Sequence, residues 1–475
     1  MIEALNKEHK EYSDRKAMWR RYWDFYVGGE QLRRNASLYL VRRQKEPNDV
    51  YGERLSRVFY ENYLGSCIDW YAASLFRSPP LVSVETKDEA TRRFFGSFIE
   101  DCDCRGTSIE GTLKQTLTQA LVFGESHILI DFPRIDGEAT TRAQEDALGK
   151  SRAYLTSFSP LELINWSRDS KGDYEWAVLK TQRNYQESFE RPETTVEERW
   201  TYYDREGFRV YRRANREGDS PAGLGGPVGR GVELVDEGRH ALAGRRRVPL
   251  VTMRISEGLW LANKAALLQQ EHFNKSNALS WALHMGLFAM PVIYSEREWQ
   301  QIVGEAYYIQ LGPEDRFGWT EPEGKVFATA AENLDRLKDE VYRVCYLMTQ
   351  AGGREARHLG QSGESKRRDF AVTHEVLRAY GGLVKDTLRR ILALTAEARR
   401  DEVSFEVGGM DEFERTDFGE ELEAARGLNE LGIPSRRFAS EVQRRVALKY
   451  LEGASQETKN QVLEEIEAGI VNGEQ

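Results

Sequence analysis

Apolar residues recur every three or four positions in two long segments of the chain, residues 334–348 and 376–392. This spacing lines one face of a helix, so both segments are predicted to be amphipathic helices. The second helix, from Asp369 to Ala396, would be roughly 40 Å long at 1.5 Å per residue. The apolar positions are Leu334, Leu337, Val341, Val344 and Met348 in the first helix, and Val376, Leu377, Tyr380, Leu383, Val384, Leu388, Ile391 and Leu392 in the second.

Residues 126–256 follow a different pattern of short runs rich in β-branched and aromatic side chains. Runs of this kind, bounded by Gly, Pro, Ser and Asp, are typical of β-strands. Residues 199–203 and 208–212 flank Asp204-Arg205-Glu206-Gly207, which predicts a β-hairpin. The other strands predicted in this module are 127–132, 154–158, 161–166, 174–181 and 248–255.

Helices are predicted on both sides of the β-rich module. Residues 1 to about 125 are mostly helical, and Pro79-Pro80 ends one of these helices, because the residue before a proline is disfavoured in the α conformation. A further helix is predicted from about residue 263 to 285. After one more strand at 403–407, residues 419–470 are again helical. The predicted fold class is therefore α+β.

Between the two amphipathic helices, residues 351–368 form a break with almost no core-forming side chains. It contains five basic and two acidic residues, in a chain whose net charge is −10. A break this long inside a compact domain is usually functional or disordered. A mobile basic loop could touch a polyanion; the alternative is a helical hairpin with a disordered connection. In the following helix, Gly381-Gly382 predicts either a bend or a close neighbour.

Length and charge narrow the class of protein. The chain has 475 residues, enough for two to four domains. It has no signal-peptide pattern and no apolar run long enough to cross a bilayer, so no membrane partner is expected. Its four cysteines lack disulfide-type spacing, which favours reduced thiols. Residues 411–475 contain 15 acidic and 8 basic residues, and no dense basic stripe marks a conventional DNA-binding domain.

Motifs for catalysis and cofactor binding are incomplete. Residues 226–231 have the glycine spacing of a P-loop, but Val232 and Glu233 occupy the Lys and Ser/Thr places. The Asp101-Cys102-Asp103-Cys104 segment lacks a second ligand cluster, so a turn is favoured over a metal site. His272 and His284 belong to no zinc-binding helix pattern. We therefore predict that the chain is not an enzyme, with no catalytic residue, no metal site and no cofactor.

Several short motifs occur in an order that resembles the portal proteins of tailed bacteriophages. Residues 158–166 are similar to the strand and turn that lead to the β wing of one portal family. Residues 428–435 look like the start of the terminal helices of that family. The opening of the family is matched by Tyr39-Leu40, Tyr51-Gly52-Glu53-Arg54-Leu55, Asp69 and Leu75-Phe76-Arg77-Ser78-Pro79-Pro80, and the resemblance covers roughly residues 20–450.

The resemblance implies a portal fold with a helical and β wing, a two-helix stem, a small α/β clip, a long kinked helix and an α-helical crown. The wing would comprise residues 1–260, including the β-rich module 126–256, together with the long helix and strand of 369–414. The remaining parts would be the stem helices 261–294 and 331–350, the clip 295–330, the tunnel loop 351–368 and the crown 415–475.

The family function implied by this resemblance is a ring, usually of twelve subunits, at one vertex of the capsid. Double-stranded DNA would be packaged and ejected through its channel. The ring would dock the terminase large subunit and then a head–tail adaptor, and would contact the major capsid and scaffolding proteins. The implied location is the virion, and the host bacterial cytoplasm during assembly.

The resemblance also assigns roles to individual residues. Arg354, Arg357 and His358 are the first choices for contact with DNA in the tunnel loop. Lys366, Arg367 and Arg368 belong either to that loop or to the first turn of the next helix. The predicted clip residues for partner docking are Tyr307, Tyr308, Phe317 and Trp319, and the predicted helix kink lies at Gly381 and Gly382.

Two interpretations from other classes of protein remain open. One is a metal-dependent nucleic-acid-processing enzyme with an unrecognised site, centred on Asp131 or on the pair Asp101 and Asp103. The other is a scaffold or adaptor protein with no channel. Ring-shaped particles would favour the portal interpretation over both.

Overall fold

The computed structural model describes residues 2–133, 144, 148–149, 151–216, 232–287, 290–294, 314, 316–320, 324–347, 363–410, 418–431, 433–451, 458, 461–463 and 465–466. The chain divides into two compact units. Unit 1 contains Met1–Arg20, Ile68–Trp260 and Ala371–Gln475, and unit 2 contains Arg21–Cys67 and Leu261–Phe370. Across the described ranges, no helix is both long enough and apolar enough to span a membrane.

The predicted α+β class is confirmed, with helices before and after a β-rich middle. The N-terminal helices are α1 (Ile2–Leu5), α2 (Lys10–Val27), α3 (Gly29–Arg34), α4 (Asn48–Ser56), α5 (Tyr63–Leu75), α6 (Glu89–Glu100) and α7 (Ile109–Phe123). A short strand, β1 (Leu81–Glu85), interrupts this helical region and was not predicted.

Helix α7 has clear sequence signals at both ends. The Ser108 hydroxyl accepts a hydrogen bond from the Gly111 backbone N–H and so caps the N-terminus. At the C-terminus, Gly124 adopts a left-handed conformation with φ of 87°. A side chain at this position would also meet the Trp260 indole at 3.1 Å. The glycine is therefore required both by the helix end and by the neighbouring ring.

A three-stranded antiparallel sheet forms the buried centre of the β-rich region. Its order is β3 (Tyr154–Phe158), β2 (Glu125–Asp131) and β9 (Leu250–Arg254). The central strand β2 is buried over six of its seven residues. The buried residues comprise the apolar run of Ile128, Leu129 and Ile130 and the polar residues Glu125, Ser126 and His127.

A second sheet of five antiparallel strands follows the chain order. Its strands are β4 (Leu163–Arg168), β5 (Tyr174–Ser188), β6 (Arg191–Asp204), β7 (Phe208–Arg216) and β8 (Glu233–Gly238). The hairpin predicted around Asp204–Gly207 is confirmed, with Tyr203 paired to Phe208. Strand β5 is longer than the predicted run 174–181, because its polar second half is held by backbone pairing to β6.

The long helix α10 (Gly363–Arg399) contributes its apolar stripe to the core of unit 1. Tyr380, Val384, Leu388, Ile391 and Leu392 are all fully buried, as their spacing predicted. The Tyr380 hydroxyl donates a hydrogen bond of 2.5 Å to the Leu259 carbonyl. After α10 the chain forms β12 (Ser404–Gly408), which pairs antiparallel with β1, and then α11 (Phe418–Glu430) and α12 (Arg436–Tyr450).

Unit 2 has its own aromatic core. The centroid of the Phe25 ring lies 5.0 Å from that of Tyr39, 5.8 Å from that of Tyr60 and 6.2 Å from that of Phe273. The Tyr60 hydroxyl donates to the Phe25 carbonyl at 2.6 Å. The further elements of this unit are α8 (Leu261–Leu287), β10 (Met290–Tyr294), β11 (Arg316–Thr320) and α9 (Gly324–Val344).

The glycine pair in α10 is explained by a close neighbour. Helix α10 is continuous through Gly381 and Gly382. A Cβ atom at Gly381 would meet the Met410 carbonyl oxygen at 2.6 Å, whereas one at Gly382 would meet nothing within 4 Å. Of the two alternatives that the sequence left open, the close neighbour is found at Gly381. The kink itself stays a prediction.

We expect Gly381→Ala and Gly382→Ala to have opposite effects on stability. Crowding against Met410 should lower the free energy of unfolding of Gly381→Ala by about 1–3 kcal/mol. Gly382→Ala should raise it by up to about 1 kcal/mol, because alanine is the better helix former and the site is open. Urea denaturation of both variants measures the difference. Equal effects would contradict this account of Gly381.

Candidate functional site in the helix pair of unit 2

Helices α8 and α9 form an antiparallel pair that continues into a β-ribbon. The Lys264 ammonium donates to the Tyr346 hydroxyl near one end of the pair. Further along, the Lys275 ammonium donates to the Asn333 side-chain oxygen at 2.9 Å. Beyond the helices, β10 pairs with β11, with Met290 opposite Thr320. The two halves of the hairpin, α8 with β10 and β11 with α9, therefore keep one register from the helices into the ribbon.

The dimensions of this hairpin follow from its length. Helix α8 has 27 residues and α9 has 21, which corresponds to roughly 40 Å and 32 Å. Helix α8 lies within the first predicted stem segment, 261–294, whereas α9 begins at Gly324, before the second predicted segment of 331–350. Their apolar positions Leu337 and Val341 are buried, as the spacing indicated. The arrangement is a helical stalk with a ribbon on its end.

Three amide side chains of α8 hold irregular backbone of unit 2. The Gln269 amide donates to the Glu61 carbonyl at 2.8 Å and accepts from the Leu64 N–H at 3.1 Å. The Asn274 amide bonds in the same two-way manner to the Tyr39 carbonyl and the Val41 N–H, at 3.1 and 2.8 Å. The Asn277 amide bonds both backbone groups of Phe59, at 3.0 and 3.2 Å.

These amides replace the backbone partners that a sheet or helix would supply. Buried backbone N–H and C=O groups must be paired, and residues 39–41 and 59–64 include irregular stretches without ladder partners. The amides at five- and three-residue spacing carry no periodic signal, so only the fold identifies their role.

His272 and His284, both read from the sequence as ordinary helix residues, differ in their surroundings. His272 is buried, with Nε2 3.3 Å from the Glu61 carboxylate, and burial lowers its pKa despite that charge. His284 Nε2 lies 2.6 Å from Arg57 Nη1. Because a guanidinium only donates, this nitrogen of His284 accepts the hydrogen bond.

A cavity of about 280 Å³ opens beside His284. Leu40, Asn277 and Trp281 line it together with the cations of Arg54 and Arg57. No local sequence pattern indicates this cavity, because its walls come from distant parts of the chain.

Arg54 is held in the cavity wall by a buried ion pair. Its Nη1 lies 2.9 and 2.8 Å from the two carboxylate oxygens of Glu46. Burial alone would raise the pKa of Glu46, but the hydrogen bonds from Arg54 and from the Arg43 N–H outweigh it and hold that pKa below its ordinary value. Arg54 is therefore already neutralised, and Arg57 is the cation nearer the mouth.

The predicted clip is partly covered by the described residues. Phe317 and Trp319 lie on β11, opposite Ile293 and Pro291 respectively. Tyr307 and Tyr308 lie outside the described residues. Helix α9 begins at Gly324, so residues 324–330, predicted as clip, are helical. This segment lacks the apolar stripe that marked the residues after 334, so the spacing did not indicate a helix there.

The last part of the predicted tunnel loop, residues 363–368, is helical. Lys366, Arg367 and Arg368 lie in the first two turns of α10, which begins at Gly363. Arg354, Arg357 and His358 lie outside the described residues. The helix starts before its apolar stripe because Glu, Lys and Arg are good helix formers even without a buried face, and a carboxylate such as Glu364 suits a first turn.

At both places considered for an enzymatic site, the carboxylates accept hydrogen bonds from other groups of the chain. The Asp101 and Asp103 carboxylates accept backbone N–H groups of Arg105, Gly106 and Thr107, as in a turn. Asp131 accepts the Tyr154 hydroxyl at 3.0 Å. Within the described residues, no group of three or more His, Cys, Asp and Glu side chains is placed to hold a metal ion.

The sequence of the chain matches no protein-family model and no curated protein. It is similar to a chain in the neck of an empty gene transfer agent (GTA) particle computed with C6 symmetry, at 10% identity and a TM-score of 0.41, covering 78% of this chain and 86% of that one. A chain of the native GTA virion has 10% identity and a TM-score of 0.40, covering 84% of this chain and 93% of that one.

Both matched chains belong to phage-like particles.

We expect Asn277→Ala to destabilise the protein much more than Gln270→Ala. The first change removes both hydrogen bonds to the part-buried backbone of Phe59, and at about 0.5–1.5 kcal/mol for each bond this lowers the free energy of unfolding by about 1–3 kcal/mol. Gln270 lies on the same helix and its side-chain oxygen has no hydrogen-bond partner, so its loss should cost less than about 0.5 kcal/mol. Chemical denaturation of both variants tests this, and equal losses would contradict the clamp.

Proposed function

We propose that this chain is a portal protein, the subunit of a ring at one capsid vertex through which double-stranded DNA is packaged and ejected. The observation that carries the proposal is the α8–β10–β11–α9 hairpin. It has the form expected of a stem with a clip at its end, and it occurs between a β-rich module and a long helix in the predicted order.

The distribution of charge supports a channel more than a tight DNA-binding surface. The whole chain carries −10, so a ring of copies repels phosphate and DNA slides rather than adheres. Arg354, Arg357 and His358 lie in the segment between α9 and α10 and would supply a ring of cations. Such contacts to phosphate are independent of base sequence and sensitive to salt.

A division of labour explains why the P-loop motif is incomplete. In the proposed function a separate terminase supplies the ATP-driven motor, and this chain supplies the passage. The clip residues Tyr307, Tyr308, Phe317 and Trp319 would dock the terminase large subunit and later a head–tail adaptor. Further partners would be the major capsid and scaffolding proteins. The finished ring would contain twelve copies, as in the family pattern, and would be part of the virion.

Electron microscopy of the purified protein tests the ring directly. We expect annular particles with a central hole wide enough for duplex DNA, formed either by the protein alone or with its capsid and scaffolding partners. The ring should persist at neutral pH without metal or nucleotide. Particles that stay monomeric or dimeric at high concentration with these partners present would exclude the proposal.

We expect the double variant Arg354→Ala, Arg357→Ala to assemble normally but to retain less DNA. Each lost phosphate contact should also lower the salt dependence of DNA binding, by about 0.9 in the slope of log K against log salt. DNA per particle after packaging is the measurement, and Glu355→Gln is the matched control because it leaves both arginines in place. Unchanged packaging and retention in the double variant would remove these residues from the DNA path.

A further inference from the structure

The hairpin of β5 and β6 ends in an arm that stands clear of the rest of the sheet. Strand β4 pairs with β5 only as far as Leu179, and β7 pairs with β6 only from Thr195. The last pair of the arm is Ser188 with Arg191. Between the level of Thr195 and the tip, three residues of β5 and four of β6 pair with no further strand among the described residues, a length of roughly 10–13 Å.

The tip of this arm is a fully exposed phenylalanine. Phe189 and Glu190 form the two-residue turn, and both are exposed, Phe189 completely. Two-residue hairpin turns favour Asn-Gly, Asp-Gly or Gly at these places, so turn formation does not explain a phenylalanine. Leaving this large ring in water forgoes the stabilisation that burial of its apolar surface would contribute. A fully exposed phenylalanine at the tip of a hairpin is typical of a side chain that becomes buried when a partner binds.

The cavity of unit 2 has the complementary chemistry. Leu40 is buried in its wall and Trp281 offers an aromatic surface. The Arg57 guanidinium lies 6.0 Å from the Trp281 ring centroid and holds Glu53 at 2.9 Å. Arg57 and Glu53 are both about half exposed, and such surface pairs are weak. The Arg57 guanidinium can therefore donate hydrogen bonds to a second carboxylate at little cost in free energy.

We propose that Phe189 of one copy of this chain inserts into the cavity of a second copy, with the Glu190 carboxylate beside Arg57. This inference rests on the proposed ring. Phe189 would pack against Trp281 and Leu40, and aromatic pairs of this kind add to the stabilisation from burial. The charge-assisted pair of Glu190 with Arg57 would set the orientation of the arm at the mouth.

A second copy is the occupant because every copy carries both halves of the contact. The arm and the cavity are different surfaces, so the contact is heterologous; heterologous contacts generate a ring when their rotation closes and an open filament when it does not, and the proposed ring is the closed case. An unrelated partner would satisfy the arm or the cavity but leave the other exposed on each subunit. The aromatic–acidic tip and the aromatic–basic cavity also match in charge.

The first test compares Phe189→Ala with Asn184→Ala, an exposed polar residue of the same hairpin that lies just before the arm. We expect Phe189→Ala to weaken association between copies at least about 30-fold, as expected for loss of a central interface residue. Asn184→Ala should not change it. Light scattering during gel filtration gives the particle mass. The thermal midpoint of the monomer should be unchanged in Phe189→Ala, because Phe189 is not buried in its own chain.

The second test exchanges the charges and maps the contact. Glu190→Arg and Arg57→Glu should each weaken assembly, and the combined variant should recover it. A photo-reactive phenylalanine analogue at position 189, in a mixture of isotopically light and heavy copies, should cross-link between copies to peptides containing residues 54–57 or 277–284.

The outcomes separate this inference from the proposed function. Rings that form normally in Phe189→Ala, or cross-links that fall on other peptides, would overturn the arm-and-cavity contact and leave the ring intact. A wild-type protein that never forms rings would overturn both. Loss of rings in Phe189→Ala with recovery in the charge-exchanged variant supports the contact.

Discussion

Three amide side chains of α8 hold the irregular segments of unit 2 by bonding both the donor and the acceptor of their backbone. Backbone that is buried outside a helix or sheet has no regular partner, and an unpaired group costs about as much as a lost hydrogen bond. The amides remove that cost at Tyr39–Val41 and Phe59–Leu64. The cavity and the aromatic core of the unit are built around these segments, so both depend on the same clamps.

The stalk of α8 and α9 projects its ribbon from a base that is fixed in this way. Bonds from Lys264 and Lys275 set the register of the two helices, and the pairing of β10 with β11 continues it. A hairpin with one register along its whole length transmits a load along its axis without sliding. That property suits a passage through which a stiff polymer is moved, and it supports the proposed stem.

The acidic charge of the chain and the exposed arm address two different requirements of a ring. In the proposed ring, repulsion between the copies and DNA would keep the passage from adhering to its cargo. The same repulsion acts between copies, so assembly needs local contacts strong enough to overcome it. A buried aromatic residue with an adjacent ion pair, as proposed for Phe189 and Glu190, supplies such a contact without changing the field inside the channel.

Local patterns in the sequence determined the α+β class, the stripe of α10 and the hairpin at Asp204–Gly207, because each depends on neighbours within a few positions along the chain. Tertiary structure alone decided the polar second half of β5, the role of Asn277 and the close approach at Gly381. In these cases the partner is distant in sequence: a facing strand, a buried backbone carbonyl, or the Met410 oxygen. Periodicity records which face of an element is buried, but it carries no information about which distant atom lies against it.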